Sequence, residues 1–102
     1  MGSVKENLIA ARALIDTPEK WAKGPHPDGG RMCALRAVER ACGLTYADGW
    51  RCPEGDALQS ALEESGLGRV VGEYNDDRRT THADIMALFS RAIAAQEKGE
   101  GE

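Results

Sequence analysis

Three groups of side chains in this sequence could together perform thiol chemistry: Cys33, His82 and the adjacent pair Asn75 and Asp76. A cysteine thiolate is a nucleophile, a histidine can remove its proton, and an amide or carboxylate can orient the histidine ring. Cys33 falls in the first turn of a predicted helix beside Arg31, and a helix N-terminus and a cation both stabilise a thiolate. The grouping predicts a small thiol-dependent hydrolase or transferase as one function.

The same residues also have a structural interpretation. Cys33 stands among apolar neighbours and suits a small buried hydrophobe. Asn75 and Asp76 suit a turn, and His82 directly follows a predicted helix cap. Because apolar burial raises a thiol pKa, we expect burial of Cys33 to outweigh the effect of the helix N-terminus. The structural interpretation is favoured over the catalytic one, since residue types alone do not fix their mutual geometry.

The cysteine spacing argues against a metal site. Cys33 and Cys42 lie nine residues apart, about two and a half helical turns, so they point to opposite faces of one helix. Cys42 and Cys52 could meet across the connecting loop with His26 nearby, but this spacing matches no standard zinc pattern. Cys52 is placed in a loop and is expected to be the most reactive cysteine toward alkylation. The sequence therefore predicts no metal ligands and no cofactor.

Helix signals account for most of the chain. Ser3 and Glu6 form a capping box, Pro18 and Pro53 suit first helical positions, and Gly43 suits a left-handed helix end. Apolar residues then recur at helical spacing. The predicted helices cover residues 4–15, 18–23, 31–42, 53–65 and 81–96.

Two segments interrupt the helical pattern. Residues 44–52 could form a tight hairpin at Asp48 or a plain loop, and residues 70–74 are β-prone and predicted to be extended. The predicted fold is mainly α: a compact single domain of four or five helices over residues 1–96, with Pro- and Gly-rich loops. Residues 97–102 are predicted to be a disordered acidic tail.

Composition limits the function classes. The 102 residues include 13 Lys and Arg against 17 Asp and Glu, for a formal net charge of −4. Because phosphate neutralisation dominates nucleic-acid affinity, this acidic chain is a poor candidate for nucleic-acid binding. No apolar run approaches the length of a membrane span and no signal peptide is visible, so a cytoplasmic location without membrane contact is expected. The three cysteines are expected to be reduced thiols.

Several short segments stand out together: Trp21, Cys33-Ala34-Leu35 with Ala37, Tyr74-Asn75-Asp76, and Thr81-His82 followed by an amphipathic helix. With these segments the chain resembles an uncharacterised family of small bacterial and phage proteins. Arg36 departs from the family pattern, which prefers glycine there, and Tyr74 replaces a tryptophan. The resemblance implies a bacterial or phage origin, but it implies no activity.

The favoured function is therefore a non-enzymatic protein-interaction domain. Helix caps and the apolar faces of the predicted helices account for most residues without a catalytic site. The alternative is a thiol-dependent hydrolase or transferase that uses Cys33 and His82. A protein partner is expected in the first case, but the sequence names neither this partner nor an oligomeric state.

Overall fold

The computed structural model describes residues 3–23, 31–43, 52–66 and 70–100. In these ranges the chain forms five α-helices: α1 (Val4–Leu14), α2 (Ala34–Cys42), α3 (Pro53–Glu64), α4 (Val71–Asp76) and α5 (His82–Glu100). A 3₁₀ turn over Pro18–Lys20 lies between α1 and α2. Strand pairing in the described part of the chain is limited to one parallel bridge, between Trp21 and Met32. The predicted mainly helical fold is confirmed.

The apolar stripe predicted on the last helix forms one side of the core. α5 packs against both α1 and α3. Every member of the stripe is at most 7% exposed, and the members are Ile85, Leu88, Phe89, Ala92 and Ile93. The inward residues predicted on α3 are buried as well: Leu58, Ala61 and Leu62. Helical periodicity therefore located the core faces of the two helices correctly.

The small side chains of α2 face the core. Ala34, Ala37 and Val38 are fully buried, whereas Leu35 and Cys42, predicted for the central stripe, are only partly buried. α2 packs extensively on α1. Alanine side chains suit this contact because the distance between two helix axes depends on the size of the side chains between them. Small side chains let the two helices approach closely.

Predicted caps fix several helix ends. Ser3 and Glu6 form the reciprocal capping box of α1. Gly43 ends α2 in the left-handed region with a φ of 71°, a conformation that glycine adopts without the steric cost of a Cβ atom. At the start of α5, the Asp84 backbone N–H donates to Thr81 Oγ1 over 3.2 Å, and the Thr81 N–H donates to Asp84 Oδ2 over 3.0 Å.

Loss of the Thr81 hydroxyl should weaken this cap. We expect Thr81→Ala to lower the free energy of unfolding by about 0.5–2 kcal/mol, because it removes the acceptor for the Asp84 N–H. Urea denaturation followed by circular dichroism measures the change. Ser60→Ala, at an exposed position within α3, is the control and should stay within about 0.5 kcal/mol of the parent. Equal effects of the two substitutions would contradict the cap.

The prediction that residues 70–74 form an extended segment is wrong. This segment enters α4, which begins at Val71 and packs on α2 and α3. The first amide of the helix donates from Val71 N to Gln59 Oε1 over 3.1 Å. A partner from α3 thus satisfies a helix-end donor, and tertiary packing overrides the β preference of the local residues.

Three other predictions, on the second helix, on residues 44–52 and on the C-terminal tail, have different outcomes. Trp21 ends the 3₁₀ turn in extended backbone instead of lying within a second α-helix. The hairpin or loop at 44–52 falls outside the described residues except for Cys52, which immediately precedes α3. The last helix continues to Glu100, so residues 97–100 are helical where the sequence predicts a tail.

Candidate functional site

Cys33 is the N-cap of α2. Its Sγ accepts a hydrogen bond from the Arg36 backbone N–H over 3.4 Å, and its side chain is half-buried. Burial raises the pKa of the Cys33 thiol, and the charges of Asp76 and Glu39 raise it further, against hydrogen bonds from backbone N–H groups that lower it. The direction agrees with the expectation that burial outweighs the helix N-terminus, although the side chain is only half-buried. At neutral pH this sulfur is therefore mainly a thiol.

Asn75 is the centre of a buried hydrogen-bond network, here called the Asn75 hub. Its Oδ1 accepts from Trp21 Nε1 over 2.7 Å and from the Ala34 backbone N–H over 3.0 Å. Its Nδ2 donates to the Ala22 carbonyl over 3.3 Å and to Asp76 Oδ1 over 3.0 Å. The side chain is 1% exposed. Two bonds to the oxygen and two from the nitrogen use the full capacity of a carboxamide.

The hub joins three parts of the chain. It connects α4 to the start of α2 through Ala34 and to the Trp21 segment, which itself pairs with Met32 through two backbone hydrogen bonds. The Ala22 N–H donates to the Met32 carbonyl over 3.0 Å, and the Met32 N–H donates to the Lys20 carbonyl over 2.9 Å. The sequence predicts Asn75 as a turn residue or a histidine-orienting group. In the structure its amide links α4 to α2 and to the Trp21 segment.

His82 is the first residue of α5 and lies against Trp21. Its Nε2 is 2.7 Å from the Ile15 carbonyl oxygen, and its ring centroid is 6.1 Å from that of Trp21 at a tilt of 55°. Because a carbonyl oxygen can only accept, the contact requires a proton on Nε2. Only Nδ1 then remains as a proton acceptor in the neutral ring.

Trp21 links the surroundings of several sequence-predicted residues. Trp21 contacts both Asn75 and His82 and pairs with Met32, the neighbour of Cys33. The hydrogen bonds described for Cys33 and His82, however, run to Arg36 and Ile15. Asp76 is exposed, and its Oδ1 accepts from Asn75.

A second polar group lies where α2 ends and α3 begins. The sulfur atoms of Cys42 and Cys52 and a carboxylate oxygen of Glu54 all lie within 4.8 Å of one another, and we call these three residues the Cys42 cluster. Cys52 is the N-cap of α3, where its Sγ accepts from the Gly55 N–H over 3.3 Å. As predicted, it directly precedes the helix that Pro53 begins, but it is only 8% exposed, and this burial argues against the high reactivity expected of it.

Sequence reasoning brought Cys42 and Cys52 together but missed Glu54. The signal that could have found it is the run Cys52-Pro53-Glu54, because proline at the first helical position places the cysteine and the glutamate at the same helix end. His26, the neighbour that the sequence suggests for these two cysteines, lies outside the described residues.

The pKa shifts of the carboxyl group and of the two thiols run in opposite directions in the Cys42 cluster. Burial alone would raise the pKa of Glu54, but hydrogen bonds from Asn7 Nδ2 at 2.9 Å, from its own backbone and from the two thiols hold it below its usual value. Burial raises the pKa of Cys42 to about 12, and the neighbouring Glu54 charge contributes. Burial raises the pKa of Cys52 as well.

The comparisons with known proteins identify the family. A family model with the description "Family of unknown function (DUF6197)" matches residues 1–95. The chain belongs to DUF6197. No match was found among curated proteins or solved structures. The expected membership of an uncharacterised family is therefore confirmed, and the matched region of this DUF6197 member includes both the Asn75 hub and the Cys42 cluster.

In the described part of the chain, none of the helices combines the length and apolar character needed to cross a membrane.

The family assignment carries no activity, so the chemistry of this DUF6197 member rests on its side chains. The Asn75 hub suits structural support because its central amide is fully bonded. The Cys42 cluster instead offers two sulfur ligands and one oxygen ligand.

Proposed function

We propose that this DUF6197 protein is a non-enzymatic protein-interaction domain of bacterial or phage origin that acts in the cytoplasm. The observation that carries the proposal is the outward side of α1, here called the α1 face and formed by Ile9, Ala10 and Ala13. All three side chains are exposed, and Ile9 is 39% exposed. An apolar helical stripe of this kind suits docking against a partner protein.

Charge indicates the chemistry of the partner surface. The exposed carboxylate of Glu6 borders the α1 face, whereas Asp16 pairs with Lys20 over 3.1 Å. The chain is acidic overall, with a formal net charge of −4. The complementary surface is therefore an apolar patch with a basic rim, because opposite potentials steer association and fix the register of an interface.

The catalytic alternative has weaker support. Thiol catalysis needs a thiolate with a base in reach, whereas burial raises the pKa of Cys33 and the Nε2 of His82 faces the Ile15 carbonyl. Asn75 could not orient a catalytic ring without giving up one of its four hydrogen bonds. These groups are better explained by helix capping and by packing around Trp21.

A charge placed on the α1 face tests the interaction. Proteins captured from a bacterial extract are identified, purified and titrated by calorimetry against the parent, Ile9→Arg and Ser60→Arg chains. Ile9→Arg should weaken binding at least about tenfold, because it places a charge in the apolar contact. Ser60→Arg, at an exposed position on α3, should bind like the parent. A partner that binds all three chains equally would contradict the proposal.

Cysteine reactivity separates the two functions. In metal-free native protein, we expect Cys33 to react with iodoacetamide at least about tenfold more slowly than in the urea-unfolded chain, because burial limits both access and thiolate formation. His82→Ala should change this rate less than about twofold, and buried Cys52 should react after half-buried Cys33. Timed labelling with peptide mass spectrometry gives all three rates. Fast labelling of Cys33 that slows in His82→Ala would favour the enzyme.

A further inference from the structure

The Cys42 cluster brings together three potential metal-ligand atoms from the facing ends of two helices. Cys42 is the last residue of α2, and Cys52 and Glu54 stand at the start of α3. Their ligand atoms lie within 4.8 Å of one another. A tetrahedral zinc site places neighbouring sulfur and oxygen ligands roughly 3.5–3.8 Å apart. Rotamer adjustments of about an ångström would therefore bring the three atoms onto one ion.

We propose that Cys42, Cys52 and Glu54 bind one Zn²⁺ ion, with a water molecule as the fourth ligand. Two thiolates are soft ligands that favour zinc over Mg²⁺ or Ca²⁺, which prefer oxygen ligands only. In this chain the ion joins the end of α2 to the start of α3. The proposal is independent of the α1 face and requires no catalytic step.

The charges of the three ligands suit a divalent ion. Two thiolates, one carboxylate and Zn²⁺ together carry a charge of about −1, so the bound ion leaves no uncompensated positive charge at this partly buried site. Each ion that binds displaces the protons of the thiols that become its ligands, and these protons leave to solvent.

Asn7 supports the carboxylate from a third helix. Its Nδ2 donates to Glu54 Oε2 over 2.9 Å, and Glu54 is 6% exposed. A hydrogen bond to a ligating carboxylate fixes its orientation toward the metal. The same two sulfurs could instead form a disulfide, but a disulfide gives no role to the Glu54 carboxylate, which lies within 4.8 Å of both sulfurs.

Metal titration of reduced, chelator-treated protein tests the proposal. Added Co²⁺ should give thiolate-to-metal absorption in the near ultraviolet and visible bands of a tetrahedral ion at one equivalent, and Zn²⁺ should displace it. Zn²⁺ should also slow iodoacetamide labelling of Cys42 and Cys52 in the unmutated chain while leaving Cys33 unchanged. This second measurement needs no variant, so misfolding cannot obscure it.

Matched variants assign the ligands. Cys42→Ser, Cys52→Ser and Glu54→Gln should each weaken Zn²⁺ binding by about a hundredfold or more, and Asn7→Ala by about tenfold. Cys33→Ser and Glu39→Gln should bind like the parent. Glu39 is the suitable control because it is also buried, at 5% exposure, and does not belong to the cluster.

Two results would overturn the proposal. One is the absence of stoichiometric Co²⁺ or Zn²⁺ binding to the reduced parent chain. This result includes the case in which Cys42 and Cys52 form a disulfide in the purified protein and still bind no metal after the disulfide is reduced. The other is metal binding that persists in Cys42→Ser or disappears in Cys33→Ser. Either result would leave the cluster as a pair of thiols around a structural carboxylate.

Discussion

Replacing Phe89 with alanine is expected to lower the free energy of unfolding by about 3–5 kcal/mol. Phe89 is 0% exposed and is the largest fully buried side chain in the described structure. It lies on α5, which packs against both α1 and α3. The substitution removes the contacts of an aromatic ring and leaves a cavity that three helices can close only in part. Urea denaturation measured by circular dichroism gives the change.

Ile9→Ala is the matched control for Phe89→Ala. Both substitutions shorten an apolar side chain on a helix, but Ile9 is 39% exposed, so its loss should cost less than about 1 kcal/mol. A loss below about 1 kcal/mol for Phe89→Ala would mean that α5 is peripheral to the core. That result would contradict the core assignment made from helical periodicity.

Local signals explain why so much of the fold could be predicted. A capping box joins residues three positions apart, as in Ser3 with Glu6 and Thr81 with Asp84. An apolar stripe repeats within a single helix, so the buried face of α5 can be read without knowledge of its neighbours. The left-handed end of α2 needs only Gly43. Each signal is complete within one element.

Long-range contacts explain what the sequence could not predict. Val71, at the start of α4, donates its N–H to Gln59, twelve residues earlier. Trp21 and Asn75 are 54 residues apart, and Asn7 and Glu54 are 47 apart. The preference of Asn75 for turns is a local property, whereas its buried network depends on how α2 and α4 pack. The candidate sites therefore required the structure.

Removal of the Asn75 amide should cause the second large effect. We expect Asn75→Ala to lower the free energy of unfolding by about 2–5 kcal/mol, because Trp21 Nε1 and the Ala34 N–H lose their shared acceptor and each unsatisfied buried donor costs about 1–3 kcal/mol. The Ala22 carbonyl and Asp76 also lose a donor. Urea denaturation at neutral pH gives the total.

A double-mutant cycle separates the hydrogen bond from packing. Trp21→Phe removes the Nε1 donor that bonds to Asn75 Oδ1 over 2.7 Å. In the double variant no indole donor is left unsatisfied, so the combined loss should be smaller than the sum of the single losses by about 1–2 kcal/mol. Additive losses within about 0.5 kcal/mol would show that the two side chains stabilise the fold separately. The Asn75 hub would then be a set of independent contacts, and Trp21 would contribute by its apolar area alone.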